Sequence, residues 1–384
     1  MRPCKICDLP GSGNHFGVFS CRACAAFFRR GAIRKIPYEC KNQSKNGKVC
    51  EIFNKISLQF NCKKCRMNKC LEMGMRAENF QFGRDLIGAS CSSKPQFLRL
   101  EKRKFGKNFV DLQLLLSEAE RILMSESPVV LLEFPTTLQK LSHGLNSVRD
   151  KPNPETFQFL AKQGFKDKLK DWETSFLIVA RWLTYFDQFQ KLPISLRIRI
   201  LIGIWHTWVL FDKLALNFHA KKSGFATGHS FVFGYNTYFD LEKVQWKMIE
   251  FSKHEEEYVD RFLKAIDWNL LNFVKPLLDL NPNDVELTFM MMQFSLSYAG
   301  KRFQGSILGT TEKLVDQLAS DLHHYYKIES NNSRYSTRLA QLLKFVRSLE
   351  NDFLEKQNKL EVGFVFDIWR VEFSHPEVFK DNLC

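Results

Sequence analysis

The chain has 384 residues, 45% hydrophobic, 26% charged and 14% aromatic, with 36 Phe; that composition allows two or three domains with aromatic-packed cores and excludes a disordered or fibrous chain. The net charge of +14 is unevenly placed: residues 1–76 hold sixteen Lys and Arg against Asp8, Glu39, Glu51 and Glu72, a net of +12 that leaves +2 for everything after. A polyanion-binding module joined to a near-neutral globular part is therefore expected, and a membrane partner is not, because the basic residues alternate with cysteines instead of lining an amphipathic anchor. No apolar run approaches the roughly 18 residues of a membrane span, and MRPCKICDLP has no apolar h-region, so secretion is not expected.

Nine of the eleven cysteines lie between Cys4 and Cys70. Without a signal for an oxidising compartment, clustered cysteines read as metal ligands. Cys4-x2-Cys7, thirteen residues, then Cys21-x2-Cys24 lets four thiolates close a tetrahedron around one ion. Cys40, Cys50 and Cys62-x2-Cys65 form a second set, with nine residues between its first two members. Four soft ligands without His or carboxylate favour two structural zinc ions over a catalytic one. Cys70 is left over, four residues after Cys65 in a helical pattern, and reads as a packed thiol.

The segment CRACAAFFRRGAIRK predicts a helix ended by Gly31 or by Ile36-Pro37, with the second Cys pair in its first turn. Phe27 and Phe28 serve as core. Arg22, Ala25 and Arg29 share one face at helical spacing, flanked by Arg30. Such a face fits the major groove of double-stranded DNA, where Arg bonds guanine O6 and N7 and an Ala methyl touches thymine.

Residues 4–85 resemble the DNA-binding domain of nuclear hormone receptors. The run NHFGVFSCRACAAFFRR is similar to the family's His-Tyr-Gly-Val, Cys-x-x-Cys and Phe-Phe-Arg-Arg; Cys62-KK-Cys65-RMNK-Cys70-LEMGM is similar to its second-zinc helix; Asn79–Asp85 resembles the extension that follows. The resemblance implies a nuclear, zinc-dependent transcription factor acting on RNA polymerase II genes. It also implies phosphate contact at His15 and Phe16, and Arg30, Arg34, Lys35, Lys63, Lys64 and Arg66 are further candidates that position the domain without reading sequence. Steroid and retinoid types carry Cys-Glu-Gly-Cys-Lys where this chain has Arg22, Ala23 and Ala25; their response elements do not transfer, and Cys-Arg-Ala-Cys-Ala-Ala is similar to the expanded nematode branch. The family's dimer loop has five residues where this one has nine, so homodimer, heterodimer and monomer stay open.

Three regions are expected: a DNA-binding domain over 1–85, a basic connector over 86–107 and a helical domain over 108–384. The connector holds Arg99, Lys102, Arg103, Lys104 and Lys107 and reads either as a nuclear address or as a solvated linker. Beyond it, apolar residues recur at helical spacing over 111–124, 171–192, 195–216, 281–300, 311–328 and 333–357, with 223–240 a hairpin or loop. Dinucleotide, Walker, nucleophile-elbow and His-Glu-x-x-His patterns are absent, so no enzyme is expected. His206 and Met290–Met292 read as core.

Trp182-LTYFDQFQKLP and the apolar helix after it resemble the family's ligand-binding-domain signature. That resemblance implies a mainly α fold, a three-layer helical sandwich, with a cavity for a small apolar ligand. A filled, ligand-independent domain that only recruits coregulator proteins, a DNA-docking adaptor, is the alternative. For coregulator binding the family uses a Lys where Thr184 stands, and an acid in a C-terminal helix. Asp367 within Phe364–Trp369 matches the acid; the same stretch is also readable as core, and Pro376–Phe379 as the final helix.

Overall fold

The computed structural model describes residues 2–32, 40, 50, 52–54, 59–60, 62–75, 97–102, 108–130, 135–149, 158–224, 226, 229–234, 237–247, 252, 254–255, 257–259, 261–262, 270–330, 334–366, 368 and 371–379. The chain divides into two compact units, Met1–Cys91 and Ser92–Cys384.

In the first unit, β1 (Gly13–His15) and β2 (Val18–Ser20) form a hairpin closed by Phe16-Gly17. Both turn residues have positive φ, 54° and 86°, the geometry of a two-residue turn whose twist suits the strands. Phe16 is an unfavourable residue there; its ring packs 5.3 Å from Phe28, which compensates. Helix α1 (Arg22–Ala32), the short pair β3 (Phe53–Asn54) and β4 (Gln59–Phe60), and α2 (Lys63–Glu72) complete the unit. Its core is small: Ile6, Val18, Phe27, Phe28 and Met75 packed among thiols, Cys70 included as expected.

The second unit opens with β5 (Arg99–Lys102) and β6 (Asn108–Asp111), an antiparallel pair. This corrects the expected connector. Residues 97–102 belong to the helical unit, because the backbone N–H groups of Phe97 and Leu98 both donate to the buried Glu173 carboxylate, at 2.7 and 2.9 Å, and the strand then pairs with β6. Helices α3 (Gln113–Leu123) and α4 (Thr137–Val148) follow. The period of α4 is not legible in the sequence, because Ser142, His143 and Gly144 dilute its apolar stripe. A Thr136–Gln139 capping box starts it, and Gly144 is required because a Cβ there would lie 2.5 Å from the Tyr185 ring.

After β7 (Gln158–Phe159) and β8 (Lys162–Gly164) come α5 (Phe165–Leu183), the single turn α6 (Asp187–Gln190) and α7 (Ile194–Lys222). The expected hairpin is present as β9 (Ser230–Gly234) and β10 (Thr237–Asp240), with β7 parallel to β10 and β11 (Gln245–Lys247) parallel to β8. The remaining elements are α8 (Leu271–Leu280), α9 (Asp284–Phe303), α10 (Gly305–His324) with a π-helical end at Tyr325–Glu329, α11 (Ser336–Val365), β12 (Val371–Phe373) and α12 (Pro376–Phe379).

Helices α7 and α9 form the middle of a three-layer sandwich, with α3 and α5 against α7 and with α10 and α11 against α9. Among the described residues, α7 is the one helix that by length and composition is apolar enough to cross a membrane, which uninterrupted apolar runs in the sequence do not reveal. Over half of that stretch, 56%, is buried inside the fold; a helix enclosed on several sides is apolar on several faces. Trp182, Trp205, Trp208, Phe176, Phe211 and Phe294 are fully buried around it. His206 and Met290–Met292 are core, as expected. Strand β12 adds in parallel to β6, so the last described residues close on the start of the same unit.

Candidate metal centres and nucleic-acid interface

Each Cys4 group is built on the N-terminus of a helix. Cys21 precedes α1 and Cys24 lies in its first turn; Cys62 is the N-cap of α2 and Cys65 lies in its first turn. Positive helix ends favour thiolates. The ligand atoms of Cys4, Cys7, Cys21 and Cys24 all lie within 4.8 Å of one another, as do those of Cys40, Cys50, Cys62 and Cys65. Cys7 and Cys21 sulfurs are 3.6 Å apart, and the Cys40 sulfur is 3.5, 3.6 and 3.8 Å from those of Cys50, Cys62 and Cys65. Zn–S bonds of about 2.3 Å in a tetrahedron require sulfurs about 3.8 Å apart, so both donor sets fit zinc in chemistry and size. Backbone N–H groups of Ile6 and Cys24 point at the sulfurs of Cys4 and Cys21, at 3.5 and 3.4 Å. Hydrogen bonding to Cys24, then burial, pushes the Cys7 thiol far up, and hydrogen bonding to Cys40 raises Cys50 to about 12. Thiols crowded in this way ionise together only around a shared cation. Zinc held by these residues would be structural, because four protein sulfurs would fill the tetrahedron at each site.

An ion in the first group would hold the start of α1, where Cys24 lies in the first turn, and Arg22 at that end is exposed. Ala25 departs from expectation: it is only 8% exposed and presents almost no methyl surface to a base. The side chains of Arg29 and Arg30, and all of Arg34 and Lys35, lie outside the described residues. His15 is half-buried and meets the Ser12 hydroxyl at 3.2 Å. The half-buried Phe16 ring packs against the core, which leaves its backbone as the part able to meet a phosphate. Lys63 is exposed and Lys64 half-buried at the start of α2.

Arg66 is a correction. It is 6% exposed, its Nη2 donates to the Cys24 sulfur at 3.2 Å, and its guanidinium lies 4.5 Å from the Phe27 ring centre. A guanidinium turned inward onto a thiolate and an aromatic face is not an outward phosphate contact. Spacing gave no warning, since the contact spans 42 residues.

In the second unit, Thr184 is buried at the end of α5, its hydroxyl donating to Arg181 O at 2.6 Å, so it presents no clamp for a partner helix. Asp367 lies outside the described residues. Val365 and Phe366 are exposed, Ile368 is buried, and Val378 and Phe379 are core. A polar cluster that sequence reasoning missed sits among α5, α7, β8 and β9. Lys213 Nζ lies 3.8 Å and Lys168 Nζ 5.5 Å from the Phe233 ring centre, and Gln163 Nε2 donates to the Asp171 carboxylate at 2.6 Å. Burial, then Lys168, pulls the Lys213 ammonium down, and burial raises Asp171. Asp212 next along α7 is engaged by Arg149. Among the described residues, a crevice between α4, α7 and α9 holds about 10 Å³, lined in part by Arg149, His219 and Asp284.

Residues 2–77 match the family model described as a double treble clef zinc finger of C4 type, and residues 153–366 match the ligand-binding domain of nuclear hormone receptor. The chain is 39% identical to the nuclear hormone receptor family member nhr-130 of Caenorhabditis elegans over 412 residues, covering 99% of this chain and 92% of that protein. It is 36% identical to nhr-65 of the same organism, covering 99% and 97%, and 36% identical to nhr-103, covering 98% and 97%. With two thiolate sites fit for zinc in an N-terminal DNA-binding domain and a three-layer helical domain later in the chain, the chain belongs to the nuclear hormone receptor family, a family of transcription factors and not of enzymes.

Proposed function

We propose that this receptor acts in the nucleus on RNA polymerase II genes, docking α1 in the major groove of a specific DNA site and recruiting coregulators through its helical domain. The observation that carries this reading is the exposed Arg22 on a helix whose first turn is tied to a zinc ligand. Arg22 and Arg29 are the base-reading candidates; His15, the Phe16 backbone, Arg30, Arg34, Lys35, Lys63 and Lys64 are the phosphate candidates, and Arg66 leaves that set. Selection of binding sites from random duplexes by the full chain should return one preferred half-site, and the symmetry of the selected motif reports monomer or dimer. With about six to eight phosphates engaged, the log–log salt slope of affinity should be about −5 to −7. A nearly flat slope would remove the DNA assignment.

Control by a small ligand is supported by Lys168 and Lys213, two cations drawn to the Phe233 ring inside the helical unit, an arrangement that can receive an anionic group. The ligand class that fits is an apolar molecule with an anionic group. The adaptor alternative is supported by the aromatic filling around α7. Thermal shift of the full chain with dodecanoate and with 1-dodecanol separates them. The ligand reading expects dodecanoate to raise the melting temperature and Lys213→Met to abolish that rise; no rise with either probe leaves the adaptor.

A further inference from the structure

We infer that Arg66 is a positioning residue of the first zinc site, supplied by the helix of the second, and that it couples the two metal centres. Cys24 is a ligand of the first set; Arg66 directly follows Cys65, a ligand of the second. Its Nη2–H donates to the Cys24 sulfur at 3.2 Å, and Phe27 on α1 holds its plane from one face at 4.5 Å. The other N–H···S bonds at the first set come from backbone groups inside their own loops, Ile6 to Cys4 and Cys24 to Cys21. Among the described residues, the bond from Arg66 is the one that reaches across from α2 and brings a charge.

The physical consequence follows from the charge of the site. Four thiolates around a divalent ion leave a net charge of −2 in a pocket where Cys4 and Cys24 are fully buried. A guanidinium in contact lowers that charge, and a charge-assisted N–H···S bond draws electron density from the Cys24 sulfur and fixes its direction. The stacked ring keeps the guanidinium in place at little entropic cost. Since α2 starts at Cys62 and Cys65, metal in the second site sets where Arg66 stands; by linkage, the benefit is mutual in affinity.

The experiment uses the full chain loaded with zinc, read by residue-resolved iodoacetamide labelling in mass spectrometry. Arg66→Met keeps an apolar stem over Phe27 and removes the N–H···S bond. It should speed labelling of Cys4, Cys7, Cys21 and Cys24 by about 10- to 100-fold, the usual range for loss of an outer-shell partner, and speed Cys40, Cys50, Cys62 and Cys65 far less. Arg66→Lys, which keeps a charged donor, should recover part of the protection of the first set. The salt slope of DNA binding should be unchanged in both variants. Equal acceleration of all eight cysteines would reduce Arg66 to general packing, and no acceleration would end the proposal. A salt slope smaller by about one would place Arg66 on a phosphate instead. If Arg66→Met does not fold, the same comparison between the two sets in Arg66→Lys decides.

Discussion

Arg22 and Glu286 show how a single side chain takes its role from what surrounds it. Arg22 is exposed at the zinc-anchored end of α1, while Ala25, three residues on, is buried. Replacement by Ala should therefore cost about 1–3 kcal/mol on the preferred site and relax the base choice there, measured by titrating the full chain against the selected duplex and its single-base variants. An equal loss on every duplex would assign Arg22 to a phosphate. Glu286 begins as a helix-capping residue, paired with Asn283 in a capping box at the start of α9. Tertiary packing adds Tyr326 Oη at 2.5 Å and a two-pronged Arg338 at 2.8 and 2.7 Å. Burial alone would raise the Glu286 carboxyl; the bonds from Arg338, Tyr326 and Asn283 outweigh it and hold it below its ordinary value. A lowered carboxylate contributes stability that is complete above its unfolded value, about 4.3, and is lost as pH falls through the folded one. Glu286→Gln should cost about 1–3 kcal/mol at neutral pH and flatten the loss of stability below about pH 4.5, as followed by urea unfolding across pH.

At the scale of elements, the two ends of the helical unit hold each other. Strand β12 lies parallel to β6, Leu112 N–H donates to the Ser374 hydroxyl at 2.9 Å, and Trp205 Nε1 donates to Val378 O at 2.8 Å. Phe379 then packs 4.8 and 5.3 Å from the Trp172 and Trp205 rings. The C-terminal helix is thus part of the core around α7. Phe379→Ala should cost about 3–5 kcal/mol, the usual range for emptying a buried Phe site, seen as a lower midpoint in chemical unfolding. A change below about 1 kcal/mol, within the range of surface substitutions, would mean that this segment is not docked in solution. Removal of residues 361–384 accordingly tests stability as well as activation, and the two are separated by comparing reporter output with protein abundance.

For the whole molecule, the two units stand on different forces. The second has one extensive apolar core. Among its described residues the first has five buried apolar core residues besides its cysteines, too few to stand without staples. Metal removal by 1,10-phenanthroline should release two equivalents of zinc per chain and abolish the ordered spectrum of residues 2–75, while the thermal transition of the helical unit persists. Joint collapse of both units, or any other metal count, would contradict that division of labour. The charge division agrees, with +12 of the +14 in residues 1–76, so affinity for DNA should respond to salt far more than the fold of the helical unit does.

Local chemistry was legible in the order of residues. Cysteine spacing placed both donor sets, because two thiolates separated by two residues reach one ion whatever the rest of the chain does, and helical periodicity placed most of the sandwich. What only the tertiary structure decided involves partners far apart in the chain: Arg66 on Cys24, Glu173 capping the backbone at residues 97 and 98, β12 on β6, and two lysines over Phe233. Such contacts leave no period to read, because their energy depends on where the chain returns in space and not on how far apart the residues lie along it.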